Sequence, residues 1–112
     1  MSIKTKTVDD IIIFEISCDE PACLKEDFRI IIEEAAKKTN KIIINFKDIQ
    51  NINSHFIGAI SSSKRLLSSL HGDLVVINLS EKIKNLFKVV HLDKIIKTTL
   101  NEKEAIDYLK SF

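Results

Sequence analysis

The sequence predicts an α/β domain, with a mixed, mostly parallel sheet of about five strands and about four helices. Three observations point there. Short runs dense in β-branched residues alternate with longer stretches whose apolar residues recur every three or four positions, the periods of strand and helix. Two of the runs, at 41–46 and 73–79, are almost continuously apolar, as strands buried on both faces of a parallel sheet are. With 112 residues, two glycines and one proline, the chain is the size of one domain, 1–112, and no Gly-, Ser- or Pro-rich linker divides it.

Residues 3–8 alternate weakly between apolar and polar and predict an edge strand. Residues 10–17, with Ile11, Ile12, Ile13, Phe14 and Ile16, predict a more buried one, and the turn at Asp9 and Asp10 makes the pair antiparallel. Asp19, Glu20 and Pro21 stand where a helix begins, after which Leu24, Phe28, Ile31, Ile32 and Ala35 share one face. Lys38, Thr39 and Asn40 suit its C-terminus, and the strand at 41–46 follows.

Asn51, Asn53 and Ser54 then offer N-cap chemistry to a second helix. Its expected inward face is Ile57, Ile60, the Lys64 stem, Leu67 and Leu70, flanked by Phe56 and Leu66, with His71 and Gly72 closing it. Serines at 61–63 and 68–69 are poor helix formers whose small side chains let a helix lie close to a neighbour. Beyond the strand at 73–79, Ser80 caps a short helix with Ile83, Leu86, Phe87 and Val90 on one face. A last strand is expected at 94–98, and a capping box from Asn101 to Glu104 opens a terminal helix through Ala105, Ile106 and Leu109.

Composition removes several classes of function. With 17 Lys plus Arg against 16 Asp plus Glu, the charge of +1 exerts no global pull toward nucleic acid or an anionic membrane, so neither is an expected partner. No apolar run approaches the ~18 residues of a spanning helix, and the first six residues lack the apolar stretch of a secretory signal, so the expected location is cytoplasmic. Cys18 and Cys23 form neither a CxxC pair nor part of a four-ligand zinc site, and His55, His71 and His91 have no second ligand at helical spacing. Gly58 and Gly72 lie too far apart to make a phosphate-binding fingerprint. No metal, nucleotide or other cofactor is therefore expected. A Ser-His-acid hydrolase fails as well: Ser54 lacks the glycine-flanked elbow, and His55 would point about a quarter-turn away from it. The expectation is a protein that is not an enzyme. Lys82, Lys84, Lys88, Lys94 and Lys97 make the last third basic, as a solvated helix face would be.

What remains is a polar rim. Asp48, Asn51, Asn53 and the first turn of the second helix gather at one end of the predicted sheet, where binding surfaces of open α/β sheets form. A phosphate esterified to Ser54 would there meet unpaired backbone N–H groups and the positive end of the helix dipole.

The order of strand, Ile52-Asn53-Ser54 loop, helix carrying Gly58, strand at 73–79 and stretch at 80–96 resembles the STAS domains of anti-sigma factor antagonists. The resemblance runs over residues 11–109 and is most specific in 41–96. It implies a single STAS-like domain, cytoplasmic and bacterial, whose unphosphorylated form sequesters an anti-sigma factor serine kinase and so regulates sigma-dependent transcription. In that family the loop commonly reads Asp-Ser-Ser-Gly or Asp-Ser-Ala-Gly, and a partner kinase phosphorylates the first serine. Aligned so, Asn53 takes the aspartate's place, Ser54 the acceptor's, His55 the second small residue's and Phe56 the glycine's; the acceptor and the later Gly58 match. The residues expected to meet the partner are then Asp48, Asn51, Asn53, His55, Phe56 and Gly58. A homodimer stays open. The altered loop supports an alternative of another class, a scaffold STAS domain of a signalling or lipid-transport complex that never carries phosphate. As a helix cap, Ser54 would cost about 1 kcal/mol on replacement by alanine.

Overall fold

The structure is a computed structural model that describes residues 2–18, 27–49 and 51–112. Two strands, β1 (Ser2–Val8) and β2 (Ile11–Cys18), form the expected antiparallel hairpin, with Asp9 in the left-handed region at φ 54° to make the turn. Helix α1 (Asp27–Ala36), strand β3 (Lys41–Ile49), helix α2 (Ser54–Ser69), strand β4 (Asp73–Ile77), helix α3 (Glu81–Val89), strand β5 (Lys97–Thr99) and helix α4 (Glu102–Leu109) follow in chain order. The sheet runs β1-β2-β3-β4-β5, parallel everywhere except at the first pair. Among the described residues these five strands and four helices make the α/β domain that the alternating periods predicted. The helix start expected at Asp19, Glu20 and Pro21, the inward Leu24 and Cys23 lie outside the described residues.

Two apolar layers hold the sheet. On one face Phe14, Ile42, Ile44 and Val76 pack with Phe28 and Ile32 of α1, Phe56, Ile60 and Leu67 of α2, and Ile83 and Phe87 of α3. On the other, α4 sets Ala105 and Leu109 against Ile11, Ile13, Ile43, Val75 and Ile77. Adjacent residues of β3 and β4 therefore serve opposite layers, which explains why those strands are continuously apolar.

The pairing of β2 with β3 shifts between Glu15 and Ser17, which match Asn45 and Asp48, so β3 carries one extra residue. The bulge reverses the side-chain parity: Ile42, Ile44 and Phe46 face the three-helix layer, and so does Ile49 beyond the bulge. Asn45 completes it, its Oδ1 accepting from the Lys47 amide at 2.9 Å and from Asn78 Nδ2 at 3.0 Å. Lys47 and Asp48 are left exposed side by side.

Several boundaries differ from expectation. The strand expected at 94–98 is Lys97–Thr99, because Leu92 and Ile96 are buried one helical turn apart and residues 92–94 wind as a 3-10 turn. Strand β4 stops at Ile77, since Asn78 turns to φ 59°. The inward face of α2 is rotated: Phe56, Ala59, Ile60, Ser63 and Leu67 are buried, while Ile57 and Lys64 are half-buried and Leu70 is exposed. Ser63 tolerates burial because its hydroxyl donates to the Ala59 carbonyl at 2.7 Å. Leu86 and Val90 likewise lie outside the fully buried part of the α3 face.

At the end of α2 it is His71, not Gly72, that adopts the left-handed conformation, at φ 64°; its amide donates to the Ser68 carbonyl and that of Gly72 to Leu67, the paired bonds of a Schellman motif. Gly72 is needed for another reason: a Cβ there would stand 1.7 Å from the Asn40 carbonyl oxygen. His91 repeats the left-handed turn after α3. The capping box of α4 is offset by one residue, Asn101 Oδ1 accepting from the Glu104 amide while the Glu104 carboxylate accepts from Leu100 rather than from Asn101.

Candidate functional site

The carboxyl ends of the parallel strands carry the expected polar rim. Strand β3 leads past its bulge to Ile49, and the chain then enters α2 through Asn51, Ile52 and Asn53. Asn53 is the N-cap, in extended conformation, with its side-chain oxygen accepting from the Phe56 amide at 2.8 Å. Ser54 is the first helical residue and is exposed, and among the described residues its hydroxyl has no hydrogen-bond partner. The capping role expected of Ser54 thus belongs to Asn53, and the helix does not depend on the serine hydroxyl. No acidic side chain occupies the first turn of α2, so the positive end of the helix dipole meets no counter-charge from the helix itself.

The remaining predicted residues divide into two groups. Asp48 is exposed and accepts from the Ser17 hydroxyl at 3.2 Å, which ties the ends of β2 and β3 together. Asn51 accepts from the Lys82 ammonium of α3. His55 is exposed beside Ser54, and Gly58 lies exposed one helical turn further on. Phe56 is a correction. Expected at the partner surface, it is fully buried, with its ring centroid 4.7 Å from that of Phe28 and 5.6 Å from that of Phe46. The aromatic side chain at the third position after the cap turns under the helix into the core, away from any docking protein.

Helix α1 completes the surroundings of Ser54. Arg29, Ile30 and Glu33 line a cleft of about 610 Å³ together with Ser54, His55, Gly58, Ala59 and Ser62. Its large exposed apolar side chain is Ile30, 56% exposed. A Cβ added at Gly58 would meet nothing within 4 Å, so the glycine leaves the α2 wall of this cleft low. The cleft continues along the same two helices past Ala36, Lys37, Leu66 and Leu70. Sequence reasoning missed Arg29, Glu33, Ser17 and Lys82, because each reaches the rim through tertiary contact. The signal available was indirect: Arg29 and Glu33 stand at helical i,i+4 spacing on the polar side of an amphipathic helix.

Among the described residues no group of three or more His, Cys, Asp or Glu side chains could hold a metal ion, and no helix is long and apolar enough to cross a membrane.

With this geometry in place, known proteins can be compared. A family model described as STAS domain matches residues 2–105. A Thermotoga maritima protein named "Putative anti-sigma factor antagonist" is 26% identical over 109 residues, covering 94% of this chain and 95% of its own length. A crystal structure of the same name and source superposes with a TM-score of 0.82 at 26% identity, covering 96% of this chain and 94% of that one. The anti-sigma factor antagonist SpoIIAA in its unphosphorylated form gives a TM-score of 0.81 at 20% identity, covering 99% and 98% of the two chains. The phosphorylated form of the Bacillus protein SpoIIAA gives 0.73 at 21% identity over 96% and 98%.

Proposed function

The chain belongs to the STAS domain family, and from that premise we propose that it is an anti-sigma factor antagonist. In this reading it is a non-enzymatic binding domain that holds an anti-sigma factor kinase while Ser54 is free and releases it once Ser54 carries phosphate. The observation that carries the reading is the placement of Ser54 at the first position of α2, exposed and excused from capping by Asn53. A hydroxyl with no structural task can be esterified without unmaking the helix. A phosphate there would bring close to two negative charges to the positive end of a 16-residue helix, on the rim that also carries Asp48, Asn51 and His55. The kinase would supply ATP and magnesium, so the domain needs no nucleotide site of its own. Sigma factors and their kinases act in the bacterial cytoplasm, and the proposed role carries that location with it.

Support also comes from the relatives named as anti-sigma factor antagonists, matched over more than nine-tenths of both chains. The fold is shared with SpoIIAA, a protein solved in unphosphorylated and phosphorylated forms. The burial of Phe56 supports the switch over a scaffold: its bulk lies beneath the helix, leaving His55 as the large loop residue exposed beside the acceptor.

The test is affinity capture from a lysate of the native cell with wild type and Ser54→Asp side by side, followed by mass spectrometry. An ATP-binding kinase recovered by wild type and lost with Ser54→Asp is the expected result. Equal recovery of the same partners by both proteins would overturn the switch and leave the scaffold reading.

A further inference from the structure

We propose that Arg29 is the receptor of the phosphate on Ser54, so that the phosphorylated protein carries a clamp between α1 and α2 across the cleft instead of a bare surface dianion. The proposal rests on Ser54 as the acceptor and adds where the phosphate goes and what it does to the fold's surface.

The two residues share one cleft although 25 positions separate them. Their neighbours hold them there: Phe28, next to Arg29, packs its ring 4.7 Å from that of Phe56, two residues after Ser54, and both rings are fully buried. The first turns of α1 and α2 are thereby fixed side by side. The Arg29 side chain is 62% exposed. Its Nε donates to Glu33 Oε1 at 3.2 Å, and among the described residues its two terminal nitrogens have no partner. The edge formed by those two terminal nitrogens is unclaimed, and it matches a phosphate in a bidentate manner that a lysine cannot reproduce. The space beside Gly58 is open, since a methyl group at that position would meet nothing within 4 Å.

Glu33 sets the resting state. Its carboxylate holds the guanidinium over the cleft before phosphorylation, and it competes for the same cation afterwards. A phosphate near two negative charges, with three acceptor oxygens, outweighs a single exposed carboxylate. Arg29 then swings toward α2 and lies across the cleft mouth. A partner segment that enters the cleft in the unphosphorylated state would find its entrance crossed by a side chain, so release would follow from occlusion as well as from repulsion.

Among the described residues the charged or titratable groups lining the cleft are Arg29, Glu33 and His55, and they define the experiment. Phosphoserine is encoded genetically at position 54 of the full chain, so that no kinase is required, and the phosphate titration is followed by ³¹P NMR around its ordinary second pKa of about 6. The expected midpoint for wild type lies roughly half a pH unit or more below that of Arg29→Gln, a contact shift discounted for solvent exposure. Glu33→Gln, which removes the competitor, moves the midpoint lower still. Both substitutions fall on exposed positions of α1 and leave the buried layers intact. Coincident midpoints in all three proteins would overturn the clamp. The switch itself is judged separately, by whether the phosphoserine protein still captures the partner: retained capture refutes the role of Ser54 whatever the titration shows, and lost capture with coincident midpoints refutes the clamp alone.

Discussion

The two ends of the parallel strands are built to different rules. At the amino ends polar groups are buried and committed: Asp73, 2% exposed, accepts from the Lys64 ammonium, from the Tyr108 hydroxyl at 2.5 Å and from the Leu74 amide at 2.8 Å. That one carboxylate joins α2, β4 and α4. Beside it Gly72 lies against Asn40, whose carbonyl accepts from the Asp73 amide and whose side chain donates to the Leu70 carbonyl. At the carboxyl ends Lys47, Asp48, Ser54 and His55 stand in solvent. The difference separates what keeps the domain folded from what is available to a partner, and it locates the cost of mutation at one end and the change of function at the other.

The two glycines of the chain give the sharpest contrast. Gly72→Ala must displace the Asn40 backbone, because the new Cβ would stand 1.7 Å from its oxygen. A loss of about 3 kcal/mol or more is expected, read as a fall in the urea midpoint or as insoluble protein. Gly58→Ala, on α2 with nothing within 4 Å of its Cβ, should instead stabilise by about 0.5 kcal/mol or slightly more. Destabilisation by both substitutions to the same degree would dissolve the contrast.

Asp73→Asn comes next. It leaves the Lys64 ammonium without its counter-charge at a part-buried position, with an expected loss of about 2 kcal/mol in chemical denaturation. Tyr108 adds a pH dependence at the same network. Burial first, and the Asp73 carboxylate second, push its hydroxyl up to about 12. A group whose folded pKa is raised favours the fold in its protonated form, so this contribution is complete below about pH 10 and fades as pH climbs toward about 12. The stability gap between wild type and Tyr108→Phe should therefore narrow across that window, and a gap that stays constant would remove Tyr108 from the network.

The amino-end scaffold was also the more legible part of the sequence. The apolar runs of β3 and β4, and the helix endings at Lys38-Thr39-Asn40 and His71-Gly72 that precede them, each carry their own local signal. The functional end was legible in its polarity but not in its geometry. Nothing in residues 41–49 announces the bulge, which exists only against the pairing with β2 and decides that Asp48 faces out while Ile49 faces in. The buried stripe of α2 was hidden by Ser63, a polar residue that satisfies its hydroxyl within the helix, and this shifted the expected face toward Lys64. Strand β5, three residues long, is too short to show a period of two. The cleft beside Ser54 takes Arg29, Ile30 and Glu33 from α1 and the rest of its lining from α2, and tertiary packing such as that of Phe28 on Phe56 brings the two walls together.

The smallest expected effect bears most directly on function. Asn53 and Ser54 are neighbours of similar polarity at the start of one helix, yet only Asn53 holds the Phe56 amide. Asn53→Ala should cost about 1 kcal/mol, the usual worth of a side-chain cap. Ser54→Ala should change the thermal or urea midpoint by no more than about 0.5 kcal/mol, as an exposed substitution away from any cap does. In the proposed switch it should nevertheless keep partner capture and abolish its release on incubation with kinase and ATP. A stability loss at Ser54 equal to that at Asn53 would return the serine to a capping role and remove the argument that its hydroxyl stands free for modification. A neutral Ser54→Ala that also leaves release intact would move the phosphoacceptor elsewhere on the rim, because the helix start would then be free of both structural and regulatory duty.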